Sequence, residues 1–408
     1  MKNTLLVLII VLTIFICGCG NRNKTENNRD RKDPTHETPQ STDVDILRDK
    51  IEQMTLDEKI GQLVMVGLEG YAMDDFSKEM IEKYKVGGFI LFKRNIEDSD
   101  QTLDLINSLK AVNLQNTVPL FFAVDEEGGR ISRMPDGFQK LPTSRAIGKI
   151  DSEEFSFEIG KILGEQIQSL GFNMNLAPVL DIDSNPQNPV IGDRSFGPDA
   201  KVVGKLGTQT MKGIQTRVIS AVKHFPGHGD TSVDSHIGLP RVDHDVDRLK
   251  DFELVPFKEA IENGADAVMI AHILLPHIDP ESPATFSKPL ISNILRKEMK
   301  FDGVIITDDM TMGAIVENYD IGDAAAKAVL AGADIVLVCH DNAKQLRVLE
   351  ALKTAVVEGA ITEVALDEHL YRILTLKQKY GITDDTTTPA EVEKINDKIR
   401  SILDKYMK

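Results

Sequence analysis

The chain runs to 408 residues and carries 47 Lys and Arg against 64 Asp and Glu, a formal charge of −17. An acid excess of that size argues against holding nucleic acid through its phosphates. The length is ample for one large domain or two small ones.

The first 18 residues read as a signal peptide. Lys2 supplies a positive charge, and residues 5–16 form an apolar stretch too short for a comfortable membrane span. The run Ile16-Cys17-Gly18-Cys19 resembles the end of a bacterial lipoprotein signal. Cys19 fits the acylated position because a small residue precedes it; Cys17, preceded by the bulky Ile16, does not. An uncleaved N-terminal anchor is the alternative, and either places the protein outside the cytoplasm, tied to the cell membrane. Residues 19–43 then form the acylated cysteine and a tether. From residue 21 onward this stretch has no large apolar side chain, so it is expected to be disordered and to reach roughly 25–30 Å. With Cys17 removed and Cys19 carrying lipid, Cys339 has no partner, and no internal disulfide is expected.

Eight short apolar runs follow, at 63–66, 88–92, 120–124, 173–177, 219–223, 267–271, 303–307 and 335–338. They are continuous rather than alternating, which suits parallel strands covered on both faces. Helical spacing fills the stretches between them, as at 155–170, 200–215, 254–263 and 321–331. Eight strands alternating with helices predict an α/β fold, a (β/α)8 TIM-type barrel, rather than an open doubly wound sheet. No GxGxxG follows the first run, which argues against a dinucleotide site there. Helices at 343–357 and 365–379 close a single catalytic barrel over 44–384. The tail, 385–408, carries Val392, Ile395, Ile399, Ile402 and Leu403 on one face of a last helix packed on the barrel.

Ionisable residues follow successive runs, as the C-terminal face of such a barrel requires of an active site. Asp125 follows the third run, Arg194 the fourth, Lys223-His224 and the Asp234/His236 pair the fifth, His272 the sixth and Asp308-Asp309 the seventh. Asp234 and His236 are two apart, so an extended loop points both the same way. A carboxylate beside an imidazole fixes its tautomer and favours its protonated form, suiting the His to acid/base work; a structural His held by a local Asp is the alternative. Asp308 and Asp309 are adjacent, so at most one is expected to face the barrel mouth, and either could instead cap the following helix. Asp125, in DEEGGR, could take sugar hydroxyls or belong to a salt-bridged loop. Arg194, in IGDRSFG, is equally open. His224, His228 and His236 could ligate a metal, but Pro226-Gly227 breaks any helix between the first two.

Taken together, DEEGGR, IGDRSFG, KHFPGHGDTSVDSH and TDD resemble, in order, glycoside hydrolase family 3. Within it they are similar to the bacterial β-N-acetylglucosaminidases of cell-wall fragments. The resemblance implies Asp308 as nucleophile, His236 as acid/base and Asp234 as its partner. It also implies that Asp125, Arg133, Arg194, Lys223 and His224 bind the sugar. Glu126 stands where relatives often have Gln. No cofactor and no metal are expected, and a monomer is. A phosphorylase of the same fold and a non-catalytic sugar-binding lipoprotein are the other readings.

Overall fold

The computed structural model describes residues 43–407 apart from 236 and 390. The signal, Cys19 and all but the last residue of the tether therefore lie outside the described residues, as does His236. Among the described residues, no helix is long and apolar enough to cross a membrane.

Eight parallel strands close a barrel in sequence order: β1 (Val64–Gly67), β2 (Gly88–Leu91), β3 (Phe121–Val124), β4 (Met174–Asn175), β5 (Ile219–Phe225), β6 (Ala267–Ile270), β7 (Val304–Asp309) and β8 (Ile335–Val338). The seam is β8 on β1, with Met65 opposite Leu337. A strand overlaps every expected run. All strand residues except Asp308 and Asp309 are buried, because helices cover the outside of the barrel while its own side chains fill the inside.

Three strands differ by two residues or more at one end from the apolar runs, and each difference shapes the barrel mouth. β4 is cut to two residues. Pro178 has no N–H to donate, and the chain re-pairs beyond it through Leu180 N–H to Lys223 O (2.6 Å). That detour brings Asp181 under the end of β5. β5 runs on to Phe225, with a register shift between Val222 and Phe225. β7 continues through Asp308 and Asp309, with a shift between Ile306 and Asp309.

The helices begin where short polar side chains cap them. Ser152 accepts from Phe155 N at the head of Glu153–Ser169, and Asp199 accepts from Lys201 N and Val202 N at the head of Ala200–Gln215. These two helices pack closely because they meet at glycines. A Cβ on Gly160 would lie 2.1 Å from Thr210 O, and one on Gly213 would lie 2.2 Å from Phe157 O.

The last helix, Val392–Tyr406, buries Ile395 and Ile399 against the barrel. Val392, Ile402 and Leu403 are partly buried beside them. Asn396 ties it to the long loop after β3, donating to Gly137 O (2.7 Å) and accepting from Gln139 N (2.7 Å).

Candidate active site

A cavity of about 250 Å³ opens at the C-terminal end of the strands. Asp125, Arg133, Arg194, Lys223, His224 and Asp308 all line it. Residues up to 183 positions apart in the chain are brought together there because each sits at a strand end or in the loop that follows one.

The wall of the cavity is a chain of buried charges. Lys223, 2 % exposed, donates to Asp125 Oδ1 (2.6 Å) and meets Glu127 Oε1 (2.8 Å). Glu127 takes the fork of Arg194, from Nε to Oε2 and from Nη2 to Oε1, both 2.8 Å. This bidentate geometry is the strong form of the guanidinium–carboxylate pair. Arg194 Nη2 then lies 3.4 Å from His224 Nε2, and His224 Nδ1 is 2.6 Å from Asp181 Oδ2. Burial works against charge on Glu127, but Lys223 and Arg194 outweigh it and hold its carboxyl well below the usual range. Burial would likewise lower Lys223; Asp125 and Glu127 outweigh it and raise the ammonium above its ordinary value. Glu127 and Lys223 are therefore charged for a reason visible in their neighbours.

Asp308 stands opposite, accepting from Asp309 N (2.8 Å). Burial disfavours its anion, yet His272, His224, the Asp309 N–H and Lys223 together lower its pKa below the ordinary value. It is a carboxylate at neutral pH. Neither of the paired Asp residues caps a helix: the following helix, Gly313–Val316, has Met312 at its cap position. Asp309 instead holds the strand ends together, accepting from Thr311 N (2.9 Å), Thr311 Oγ1 (2.6 Å) and Cys339 N (3.0 Å). Both Asp residues border the cavity, although adjacent side chains were expected to diverge. The register of β7 against β8 shifts between Ile306 and Asp309, at this pair. His272, fully buried after β6, bonds Thr285 Oγ1 (2.5 Å) and the Asp309 carbonyl (2.9 Å) behind this pair.

The loop after β5 is clamped at His228. Its N–H donates to Asp181 Oδ1 (2.6 Å), Nδ1 meets Thr231 Oγ1 (2.8 Å) and Nε2 meets Ser235 Oγ (3.2 Å). Burial first, and the nearby His224 second, push its pKa down to about 4, so this ring is neutral. Ser235 also accepts from Ala314 N (3.1 Å). Ser235 is thus pinned beside the short helix Gly313–Val316 that follows Asp308. Asp234 lies in this loop, its carbonyl accepting from Ile237 N (2.9 Å) and Gly238 N (3.1 Å). With His224 and His228 engaged by Asp181, Thr231 and Ser235, no group of three or more His, Cys, Asp or Glu is placed to hold a metal among the described residues.

Glu127 and Asp181 were not among the candidates read from the sequence. Glu127 stood inside DEEGGR, where nothing local marks it above Glu126. Asp181 follows an apolar run and pairs with His224 across 43 positions, a relation no spacing reveals.

The model of the glycosyl hydrolase family 3 N terminal domain matches residues 55–376. The chain is 36% identical over 326 residues to the beta-hexosaminidase A of Pseudoalteromonas piscicida, covering 74% of this chain and 54% of that protein. It therefore spans about half the length of that relative. To the beta-hexosaminidase of Idiomarina loihiensis it is 34% identical over 293 residues, covering 71% of this chain and 87% of the other. The solved structure of a glycoside hydrolase family 3 beta-N-acetylglucosaminidase from a Paenibacillus species superposes with a TM-score of 0.82 at 41% identity. That match covers 86% of this chain and 69% of that one. The chain belongs to glycosyl hydrolase family 3.

Proposed function

We propose that this protein is an exo-acting, retaining β-N-acetylglucosaminidase. It removes terminal, non-reducing, β-1,4-linked N-acetylglucosamine from peptidoglycan fragments. The observation that carries this reading is Asp308, an ionised carboxylate in a cavity walled by fixed donors and acceptors. Asp308 attacks the anomeric carbon as the glycosidic C–O bond breaks, and His236 gives its proton to the leaving oxygen. Neutral His236 then takes a proton from water, which attacks the glycosyl–Asp308 ester and frees the sugar with its configuration kept. Asp234 favours the imidazolium form of His236. The acetamide is gripped rather than used as a nucleophile, since a carboxylate already fills that role.

Asp125, Lys223, His224, Arg194 and Arg133 hold the sugar. Arg133 supports this with a buried Nε that has no hydrogen-bond partner among the described residues, a donor available to a substrate oxygen. The sequence features of the first 43 residues support an enzyme held outside the cytoplasm by lipid on Cys19. The names of the relatives above support the hexosaminide specificity.

Initial rates on nitrophenyl N-acetyl-β-glucosaminide and on the matching β-glucoside, with and without phosphate, test this. Strong preference for the acetamido sugar, with free N-acetylglucosamine as product in both buffers, is expected. A sugar phosphate as product would replace hydrolysis by phosphorolysis, and activity on neither would point to a sugar-binding lipoprotein.

A further inference from the structure

Glu126 and Glu127 are consecutive, but they face opposite ways. Glu127 joins the charged wall of the cavity. Glu126, 1 % exposed, is fixed by its backbone to Asn175 of β4, donating to Oδ1 (3.1 Å) and accepting from Nδ2 (2.9 Å). Its side chain meets the loop as it returns. Oε2 accepts from Arg133 N (2.7 Å), and the neighbouring Ser132 hydroxyl and Met134 N–H also favour the anion of this carboxyl. Ser132, Arg133 and Met134 thus all lie near one carboxylate, and the middle one, which bonds it directly, lines the cavity.

We propose that Glu126 is a positioning residue for the sugar pocket, holding the 132–134 segment as an anion so that sugar affinity follows its charge. This rests on the reading of Arg133 as a sugar contact. An ionised carboxylate only accepts, so it suits a segment that presents an N–H to it and hydroxyl and N–H groups near it. A protonated one turns one oxygen into a donor and loosens its hold on that segment.

Burial is the largest influence on this group and raises its pKa, against the opposing Arg133 and Met134 N–H groups, the Ser132 hydroxyl and the Arg133 charge. The outcome is about 7. The other charged groups around it are Lys93, Arg130, Asp136 and Lys140, which border a second cavity behind the loop. Asn175 and Gln166, from β4 and the helix Glu153–Ser169, are neutral.

Glu126→Gln tests the proposal, because an amide accepts and donates as the protonated acid does. The readout is the inhibition constant of N-acetylglucosamine from about pH 5.5 to about 8.5. In the unaltered enzyme it should fall about threefold to tenfold more with rising pH than in the variant, the value of one hydrogen bond. The variant should stay near the low-pH value throughout, with kcat little changed.

Thermal melting supplies the opposite sign. The folded pKa is raised, so stability from this group is full below about pH 4.5 and lost as pH rises through about 7. The variant should therefore gain on the unaltered enzyme at high pH while its sugar affinity is lower. Parallel affinity profiles in the two proteins would overturn the proposal, as would a variant weaker than the unaltered enzyme at every pH. If the unaltered enzyme turns over no N-acetylglucosaminide, the activity assignment fails instead. Calorimetric binding of the same sugar then carries the comparison.

Discussion

Replacing Asp308 by Asn should lower kcat/KM on the order of 10⁴-fold or more, with N-acetylglucosamine still bound and the fold kept. The side chains have the same shape. Asn Oδ1 can accept from Asp309 N as the carboxylate does (2.8 Å). What disappears is the anion that His272, His224 and Lys223 favour at this position. An amide cannot form the glycosyl ester, so the loss belongs to the chemical step. Stopped assays on the nitrophenyl substrate give the rate, and calorimetry with the free sugar gives the binding. Retention of more than about a tenth of the activity would remove Asp308 from the chemistry.

Glu127→Gln should cost about 3–5 kcal/mol of stability, the usual penalty for leaving buried charge without its partner. Glu127 is 3 % exposed and neutralises both Lys223 and Arg194. Without it, Asp125 remains for the Lys, while the Arg194 fork has no carboxylate. Sugar binding should weaken as well, since both cations line the cavity. Urea unfolding measures the first effect and the inhibition constant of N-acetylglucosamine the second. Asp193→Ala is the control: its pair with Arg130 is about half exposed on both sides (43% and 48%), so its loss should change stability by about 0–1 kcal/mol. Equal effects at the two positions would show that the buried chain of charges is not what holds this face together.

The barrel was legible because eight continuous apolar runs have few other ways to be covered on both faces. The helices at 200–215 and 321–331 match their spacing to the residue. The ends of β4, β5 and β7 were not legible. They depend on where Pro178 interrupts pairing and on register shifts against neighbouring strands, which are long-range facts. The site divides along the same line. Six candidate residues share one cavity because strand ends necessarily converge in a barrel. The direction of each side chain was beyond the sequence: Glu126 and Glu127 turn apart, whereas Asp308 and Asp309 both reach the cavity. Asp181 shows the limit most plainly, since only the folded chain places it under His224.

The most direct test is to trap the intermediate. The protein would be incubated briefly with a fluorinated N-acetylglucosaminyl donor that glycosylates rapidly and hydrolyses slowly, then digested and its peptides weighed. The account predicts one sugar esterified to the peptide containing Asp308, and product released with the β configuration. An unlabelled Asp308 peptide together with α-configured product would contradict it.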